Sequence, residues 1–260
     1  ELKPDRMVGF EISETSDLTA WGGRTVENTR VALFKIDGPP LVPVVGSAGV
    51  FPVRRIFCVG RNYAAHAAEM GHEVDREAPF YFCKTPSAIC QSGRTIPYPC
   101  GTEDYHHEME FVVALGASTH KVTTNDAMQA VYGYACGFDM TRRDRQQDGK
   151  DKRRPWDLGK DFENSAVIGA ITPASGFGKI QDQAIGLTIN GETRQSANLS
   201  DLIWSIPEII SHLSGFYHLQ AGDLIYTGTP AGVGAVVTGD VLHGEIDGLA
   251  PVDLVIGEPE

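Results

Sequence analysis

His106-His107-Glu108-Met109-Glu110-Phe111-Val112-Val113-Ala114-Leu115-Gly116 is the stretch on which the reading of this chain turns. Its aromatic and β-branched residues, closing on Gly116, give a strand. Side chains two apart on a strand share a face, so Glu108 and Glu110 point the same way. A third acid, Asp139, ends a later apolar run that begins at Gly133. Three carboxylates that converge in a half-buried site cannot all stay ionised without a cation. An all-oxygen donor set suits Mg²⁺, Mn²⁺ or Ca²⁺ over zinc or copper. Spacing alone also fits a solvated pair on the polar face of an edge strand, the commoner arrangement. The rest of the chain decides between the two.

At 260 residues the chain can bury a sizeable core, as one large domain or as one domain with a smaller appendage. Its 22 basic and 34 acidic side chains give a formal charge of −12, which repels polyphosphate backbones and acidic membranes. Nucleic acid and membrane surfaces are therefore not the expected partners. The longest apolar runs, such as Phe111 to Leu115, fall far short of the roughly 18 residues that cross a bilayer. The opening Glu1-Leu2-Lys3-Pro4-Asp5 has no apolar signal core. Cys58, Cys83, Cys90, Cys100 and Cys136 are odd in number, form no Cys-x-x-Cys and lie in or near strand-like runs. Free thiols in a reducing cytoplasm account for them, and a cytoplasmic location is expected.

Residues 1–48 read as an N-terminal extension with weak periodicity, Val31 to Ile36 being its clearest strand; residues 49–260 form the main domain. Strand-like runs follow at Arg54 to Val59, Phe80 to Phe82, Glu108 to Leu115, Gly133 to Phe138, Ala184 to Ile189, Asp223 to Thr227 and Pro251 to Ile256. Turn chemistry separates them, with Asn190-Gly191 the clearest hairpin signal. Three helices are expected: one after Asn62, one capped near Asn125, and one from about Asp201 to Leu213 with Ile203, Ile206, Ile209, Ile210 and Leu213 on one face. Strands dominate without regular alternation with helices, which predicts a β-rich α+β fold and not a doubly wound sheet.

Directly after a strand comes Gly60-Arg61-Asn62-Tyr63-Ala64-Ala65-His66-Ala67-Ala68-Glu69. On a helix, His66 and Glu69 share a face, so the carboxylate can orient the imidazole and raise its basicity. Such a dyad makes a general base, although exposed His and Glu on a surface helix are common. A second polar block, Asp139-Met140-Thr141-Arg142-Arg143-Asp144-Arg145-Gln146, is followed by Trp156-Asp157-Leu158-Gly159-Lys160. Its cations could clamp an anionic substrate or stabilise a developing oxyanion. Lys150 to Arg154 reads as a solvated charged loop. The glycines of Thr227 to Gly234 include no Gly-Lys-Ser/Thr and open no helix, so they give a tight turn and not a nucleotide loop. Cys100, His106 and His107 fit no standard zinc spacing.

Together these segments resemble the fumarylacetoacetate hydrolase family. The resemblance rests on Gly60-Arg61-Asn62-Tyr63 with His66 and Glu69, then Phe82-Cys83-Lys84 and Glu108-x-Glu110. It continues through Asp139-Met140-Thr141 with Arg143, Asp144 and Gln146, then Lys160, Gly222-Asp223 and Thr227-Gly228-Thr229-Pro230. All fall in the family's order across Phe51 to Ile256, and Cys58 to Met70 and Pro79 to Lys84 are most similar to members that cleave fumarylpyruvate. The resemblance implies a mixed β-roll, a homodimer, and a divalent cation, Mg²⁺ with Mn²⁺ or Ca²⁺ as alternatives, held by Glu108, Glu110 and Asp139. It implies carbon–carbon hydrolysis of a 2,4-dioxo acid, with His66 and Glu69 activating water and Lys160 at the substrate's pyruvate end. Arg143 and Gln146 would place substrate or water, and Thr229 would meet a substrate carboxylate. Lys84 is included among the substrate-binding residues, and Arg142 or Arg61 is the expected partner of a distal carboxylate. Isomerisation or decarboxylation of a related 2-oxo acid, or non-catalytic metabolite binding, are the competing readings. Two departures, His107 in place of a tyrosine and Arg142 in place of a small residue, bear on substrate choice.

Overall fold

The computed structural model describes residues 33–69, 71, 73 and 76–259. Two compact units divide the chain, Glu1–Gly38 and Pro39–Glu260. Most of the expected extension lies outside the described residues. Of its expected strand Val31 to Ile36, the described residues Leu33 to Ile36 form no strand; the first strand of the described extension is Leu41–Pro43, paired with Val50–Pro52.

Eighteen strands occur among the described residues. They are β1 (Leu41–Pro43), β2 (Val50–Pro52), β3 (Arg55–Gly60), β4 (Phe80–Lys84), β5 (Ile89–Gln91), β6 (Arg94–Pro97), β7 (Tyr105–His107), β8 (Met109–Leu115) and β9 (Val131–Asp139). There follow β10 (Thr141–Arg142), β11 (Ala166–Ile168), β12 (Thr172–Pro173), β13 (Ala184–Ile189), β14 (Glu192–Asn198), β15 (Asp223–Tyr226), β16 (Gly234–Ala235), β17 (Val241–Ile246) and β18 (Val252–Gly257). The largest sheet has eight strands in the order β4-β3-β15-β8-β9-β11-β5, with β12 paired to β9. It is mixed: β15 runs parallel to β3 and β11 parallel to β5, while β8 is antiparallel to both β15 and β9. A second sheet runs β14-β13-β17-β18-β6, and β10-β7-β16 form a third. This is the expected β-rich α+β architecture, curled as a roll.

Strand β8 is central and buried at every position, which is why its sequence lacks polar alternation beyond Glu110. Met109, Phe111, Val113 and Leu115 enter a core cluster with Ile185, Leu187, Leu242 and Leu254 of the five-stranded sheet. Val112 and Ala114, on the other face, join Val42, Phe51, Ile56 and Tyr226. Glu108 and Glu110 therefore do not sit on an edge strand. They stand at the end of a row that is otherwise core.

The Asn190-Gly191 hairpin forms as read, with both residues at positive φ (53° and 81°) and Ile189 opposite Glu192. The helices differ more. Helix α1 (Ala64–Glu69) follows Asn62 as expected. Near Asn125 there is only a single 3₁₀ turn, Ala127–Ala130, because β9 takes up the chain at Val131. The helix expected from Asp201 is divided into a 3₁₀ turn, Leu199–Asp201, and a later helix, Ile206–Phe216, whose start is set by Ser205 and Glu208 in a capping box. The polar block is a helix too: α2 (Arg143–Asp151) is followed by α3 (Asp157–Lys160), with a short α4 (Ala174–Phe177) and then α5 (Ile206–Phe216). Among the described residues no helix is long and apolar enough to cross a membrane.

Candidate active site

Register assembles the carboxylates. Met109 pairs with Phe138, so Glu108 and Asp139 lie across from each other, and the Asp139 N–H donates to the Glu108 carbonyl at 2.9 Å. Glu110, two residues on, shares their face. One oxygen of each carboxylate lies within 4.8 Å of the others, and all three residues are buried. The Gly228 N–H reaches Glu110 Oε2 at 2.9 Å. That approach requires glycine: φ is +100°, and a Cβ would stand 2.7 Å from the Asn62 Cβ.

The cations are distributed unevenly. Lys160 Nζ sits 2.7 Å from each of Glu108 Oε2, Asp139 Oδ2 and Thr141 Oγ1. Arg143 donates to Glu108 Oε1 at 2.6 Å and to Gln146 Oε1 at 2.8 Å. Burial alone would raise the Glu108 carboxyl, but Lys160 and Arg143 outweigh it and hold Glu108 well below the ordinary carboxylate range. Burial would likewise lower Lys160, but Asp139 and Glu108 outweigh it and push the ammonium up. Glu110 has no such partner. Burial first, then the charges of Asp139 and Glu108, raise its carboxyl well above the ordinary value. Asp139 Oδ1 lies 2.9 Å from Lys84 Nζ, an ionic contact outside hydrogen-bond geometry, so this buried oxygen makes no hydrogen bond. A donor set of three carboxylates, one poorly neutralised and another with an unbonded oxygen, fits a hard divalent cation.

The same cavity is lined by His66, Arg61, Phe82, Gln146, Lys150, Trp156 and Thr229. His66 Nδ1 is 3.2 Å from Glu69 Oε2, and Glu69 also accepts from the Gly232 N–H, which ties α1 to the glycine-rich loop. Gln195 fixes the other side of that loop. Its Nε2 donates to Thr229 Oγ1 and the Pro230 carbonyl, both at 2.8 Å, and its Oε1 accepts from the Met109 N–H at 2.9 Å. Because Thr229 Oγ1 accepts there, its own proton is free for a substrate.

Most of the residues read from sequence meet in this cavity: Glu108, Glu110, Asp139, His66, Lys160, Arg61, Arg143, Gln146 and Thr229. Glu69 supports His66 from behind. Two are displaced. Lys84 is fully buried beneath Asp139 and donates to the carbonyls of Met140 and Lys160, so it braces the floor instead of facing the cavity. Arg142 does not line the cavity at all. On β10, Thr141 turns inward to Lys160, so its neighbour must turn away, and the Arg142 guanidinium lies over the Phe162 ring at 4.1 Å. Lys150, read as part of a solvated loop, is a helical residue on the cavity wall. The steps from Arg143 to Gln146 and on to Lys150, three and then four residues, are the signal for a shared helix face. Gln195 carried no signal, since only the fold brings it to Thr229. His106 and His107 are engaged by Asp104 and Gln195, and burial pushes His107 down to about 4. With Cys100 they form no metal cluster among the described residues.

Comparison with known proteins agrees with this geometry. Residues 55–256 match the family model "Fumarylacetoacetate (FAA) hydrolase C-terminal". A fumarylpyruvate hydrolase from a Ralstonia species is 50% identical over 193 residues, 74% of this chain and 100% of that protein. The oxaloacetate tautomerase YcgM of Escherichia coli is 38% identical over 199 residues, covering 76% of this chain and 90% of that one. The crystal structure of fumarylpyruvate hydrolase from Pseudomonas aeruginosa with Mn²⁺ and pyruvate is 45% identical, with a TM-score of 0.85, over 87% of this chain and 99% of that one.

Proposed function

Since this chain belongs to the fumarylacetoacetate hydrolase family, we propose that it is a metal-dependent hydrolase of acylpyruvates, cleaving fumarylpyruvate to fumarate and pyruvate. The observation that carries the reading is a single cavity in which three buried carboxylates, Lys160 and the His66–Glu69 pair face one another. Glu108, Glu110 and Asp139 would hold the cation, Mg²⁺ or Mn²⁺, which when bound supplies Lewis-acid stabilisation of charge on the substrate's oxygens.

This chain's own residues account for the other steps. With Nδ1 directed to Glu69, His66 keeps Nε2 as the acceptor for a proton from water. That water attacks the C4 carbonyl, the C3–C4 bond breaks, and its electron pair moves onto the pyruvyl fragment as an enolate. A proton delivered to C3 completes pyruvate, while C4 leaves as the new carboxylate of fumarate. Lys160, kept protonated by its anionic neighbours, offsets the enolate charge. Arg143 fixes Gln146 Oε1, which leaves the Gln146 amide N–H groups for substrate or water, and Thr229 offers its hydroxyl to a carboxylate. Of the two arginines considered for a distal carboxylate, Arg61 lines the cavity, which supports Arg61 over Arg142.

The test is incubation of purified protein with Mn²⁺ or Mg²⁺ and a panel of acylpyruvates, following loss of the dioxo chromophore and release of pyruvate. Fumarylpyruvate turnover that EDTA abolishes and metal restores is the expected result, and His66→Ala should lose about 10²- to 10⁴-fold in kcat. Tautomerisation or decarboxylation of oxaloacetate without cleavage of any acylpyruvate would replace the reading. A homodimer, a cytoplasmic location and dispensability of residues 1 to about 30 for turnover belong to the same proposal; sizing, fractionation and truncation at residue 30 test them.

A further inference from the structure

Two cations on the cavity wall, Arg61 and Lys150, have no carboxylate partner among the described residues. Their neighbours are rings. Lys150 Nζ lies 5.3 Å from the centroid of Trp156, and the Arg61 guanidinium lies 5.9 Å from that of Phe80. Phe80 meets Trp156 edge-on at 5.0 Å, and Phe82 adjoins Trp156 at 6.1 Å. Between the two cations therefore runs a continuous aromatic shelf, with Phe82 continuing it towards Lys160, whose Nζ is 5.0 Å from that ring.

The lysine is fixed to this shelf by the backbone. Gly149 lets the Pro155 carbonyl and the Trp156 ring close on α2, since a Cβ there would stand 3.0 Å and 3.3 Å from them. Half-buried, Lys150 is pushed below the ordinary lysine range by burial and then by the positive charges of Arg143 and Arg61. A site of this kind, flat and apolar in the middle with uncompensated positive charge at its rim, is complementary to a planar unsaturated chain ending in an anion.

We propose that Lys150 is a specificity-determining residue: with Arg61 it grips the carboxylate at the far end of a dianionic substrate whose near end lies on the Glu108, Glu110 and Asp139 floor. The inference rests on the acylpyruvate reading and adds to it the residue that selects a diacid. A lysine parked on Trp156 as a solvated cation–π pair would make a different prediction, because its removal would not distinguish substrates by charge.

The decisive measurement is the ratio of kcat/KM for fumarylpyruvate to that for acetylpyruvate, which has no distal carboxylate. In Lys150→Met this ratio should fall about 10- to 100-fold, the effect of one charge-assisted contact, and Lys150→Arg should restore most of it. An unchanged ratio in Lys150→Met overturns the proposal. Should the wild-type protein cleave neither compound, the hydrolase reading itself fails, and calorimetric titration with fumarate and crotonate in the presence of Mn²⁺ then decides the role of Lys150. Crotonate replaces one carboxylate of fumarate with a methyl group. A wild-type preference for fumarate that is lost in Lys150→Met supports the lysine contact; a preference retained there, or none in the wild type, overturns it.

Discussion

Two buried carboxylate sites in this molecule use the same side chains to opposite ends. Asp223, wholly buried at the start of β15, takes the Arg55 Nε and Nη2 at 3.1 Å and 2.7 Å, Arg54 Nη1 at 3.2 Å and the Gln220 N–H at 2.9 Å. Every lone-pair direction is used, and the fork of Arg55 matches the carboxylate geometry. At the cavity floor, Glu110 has a backbone N–H and no cation, and Asp139 keeps an oxygen without a hydrogen bond. The first arrangement is closed and fixes β15 to β3. The second is open at Glu110, and that unneutralised carboxyl is what would give the site affinity for a metal ion.

The largest effect expected from this contrast comes from Glu110→Gln. Replacing one of three anionic oxygen donors with a neutral amide should cost about 10³-fold or more in turnover, since a bound cation supplies several kcal/mol of charge stabilisation. The same substitution should raise the melting temperature of the metal-free protein at neutral pH, because it removes the cost of holding this buried carboxyl, charged or protonated, close to Asp139 and Glu108, while glutamine still accepts from Gly228. Loss of activity together with loss of stability would show that Glu110 is as closed a site as Asp223.

Asp223→Ala should do the reverse. It leaves two arginines without their partner, and breaking such a pair costs about 3 kcal/mol, the low end for buried pairs because Arg54 and Arg55 are partly exposed. Chemical denaturation would read that loss, and turnover per folded molecule should stay within about threefold of wild type. A catalytic defect without a stability defect would overturn the division of roles.

Gln195→Leu sharpens the comparison within the open site. Filling the space without donor or acceptor frees Thr229 and the Met109 N–H from their tie, and should lower kcat/KM by about 10- to 100-fold, as for other groups that orient those in contact with the ligand. The crystal structure of the variant would show whether the Thr229 loop has moved.

The smallest effect is in pH. The Glu110 carboxyl is raised above its ordinary 4.5, so the folded metal-free protein binds a proton that the unfolded chain has already lost. Its contribution favours folding below 4.5 and is lost as pH rises through the folded value, while the cation requires the deprotonated form. The rise in melting temperature on adding Mn²⁺ should therefore grow with pH, with affinity increasing up to about tenfold per pH unit until Glu110 is ionised. Glu110→Gln should flatten the profile.

What the sequence revealed follows from whether the signal was local. The alternation of Ala184–Ile189 and the Asn190-Gly191 turn depend on neighbours in the chain, and both were legible. Its partner β14 was not. Its residues Glu192–Asn198 are almost all polar, and the ladder with β13 alone makes them a strand. The carboxylates were legible for the same reason as the hairpin, since a strand places alternate residues on one face. Helix α2 was hidden because its inward face is polar: Arg143, Gln146 and Lys150 face a cavity, so the apolar stripe that marks a helix is missing. Arg142 could have been set aside by parity once Thr141 was known to face Lys160. Gln195 could not have been found, because it reaches Thr229 only through the assembled sheets.

The pairing of Arg55 with Asp223 joins residues 168 apart in the chain, and β15 is inserted between β3 and β8. The ties that complete the site, Gly228 to Glu110 across 118 residues and Gln195 to Met109 across 86, likewise form only after most of the domain has been synthesised and its long loops closed, a topology that folds slowly. A cation held by Glu108, Glu110 and Asp139 would find Glu110 tied by Gly228 and the neighbouring loop ordered by Gln195 only in the folded domain. Such a cation would act as a latch on the finished molecule, slowing its unfolding while leaving the rate of assembly nearly untouched.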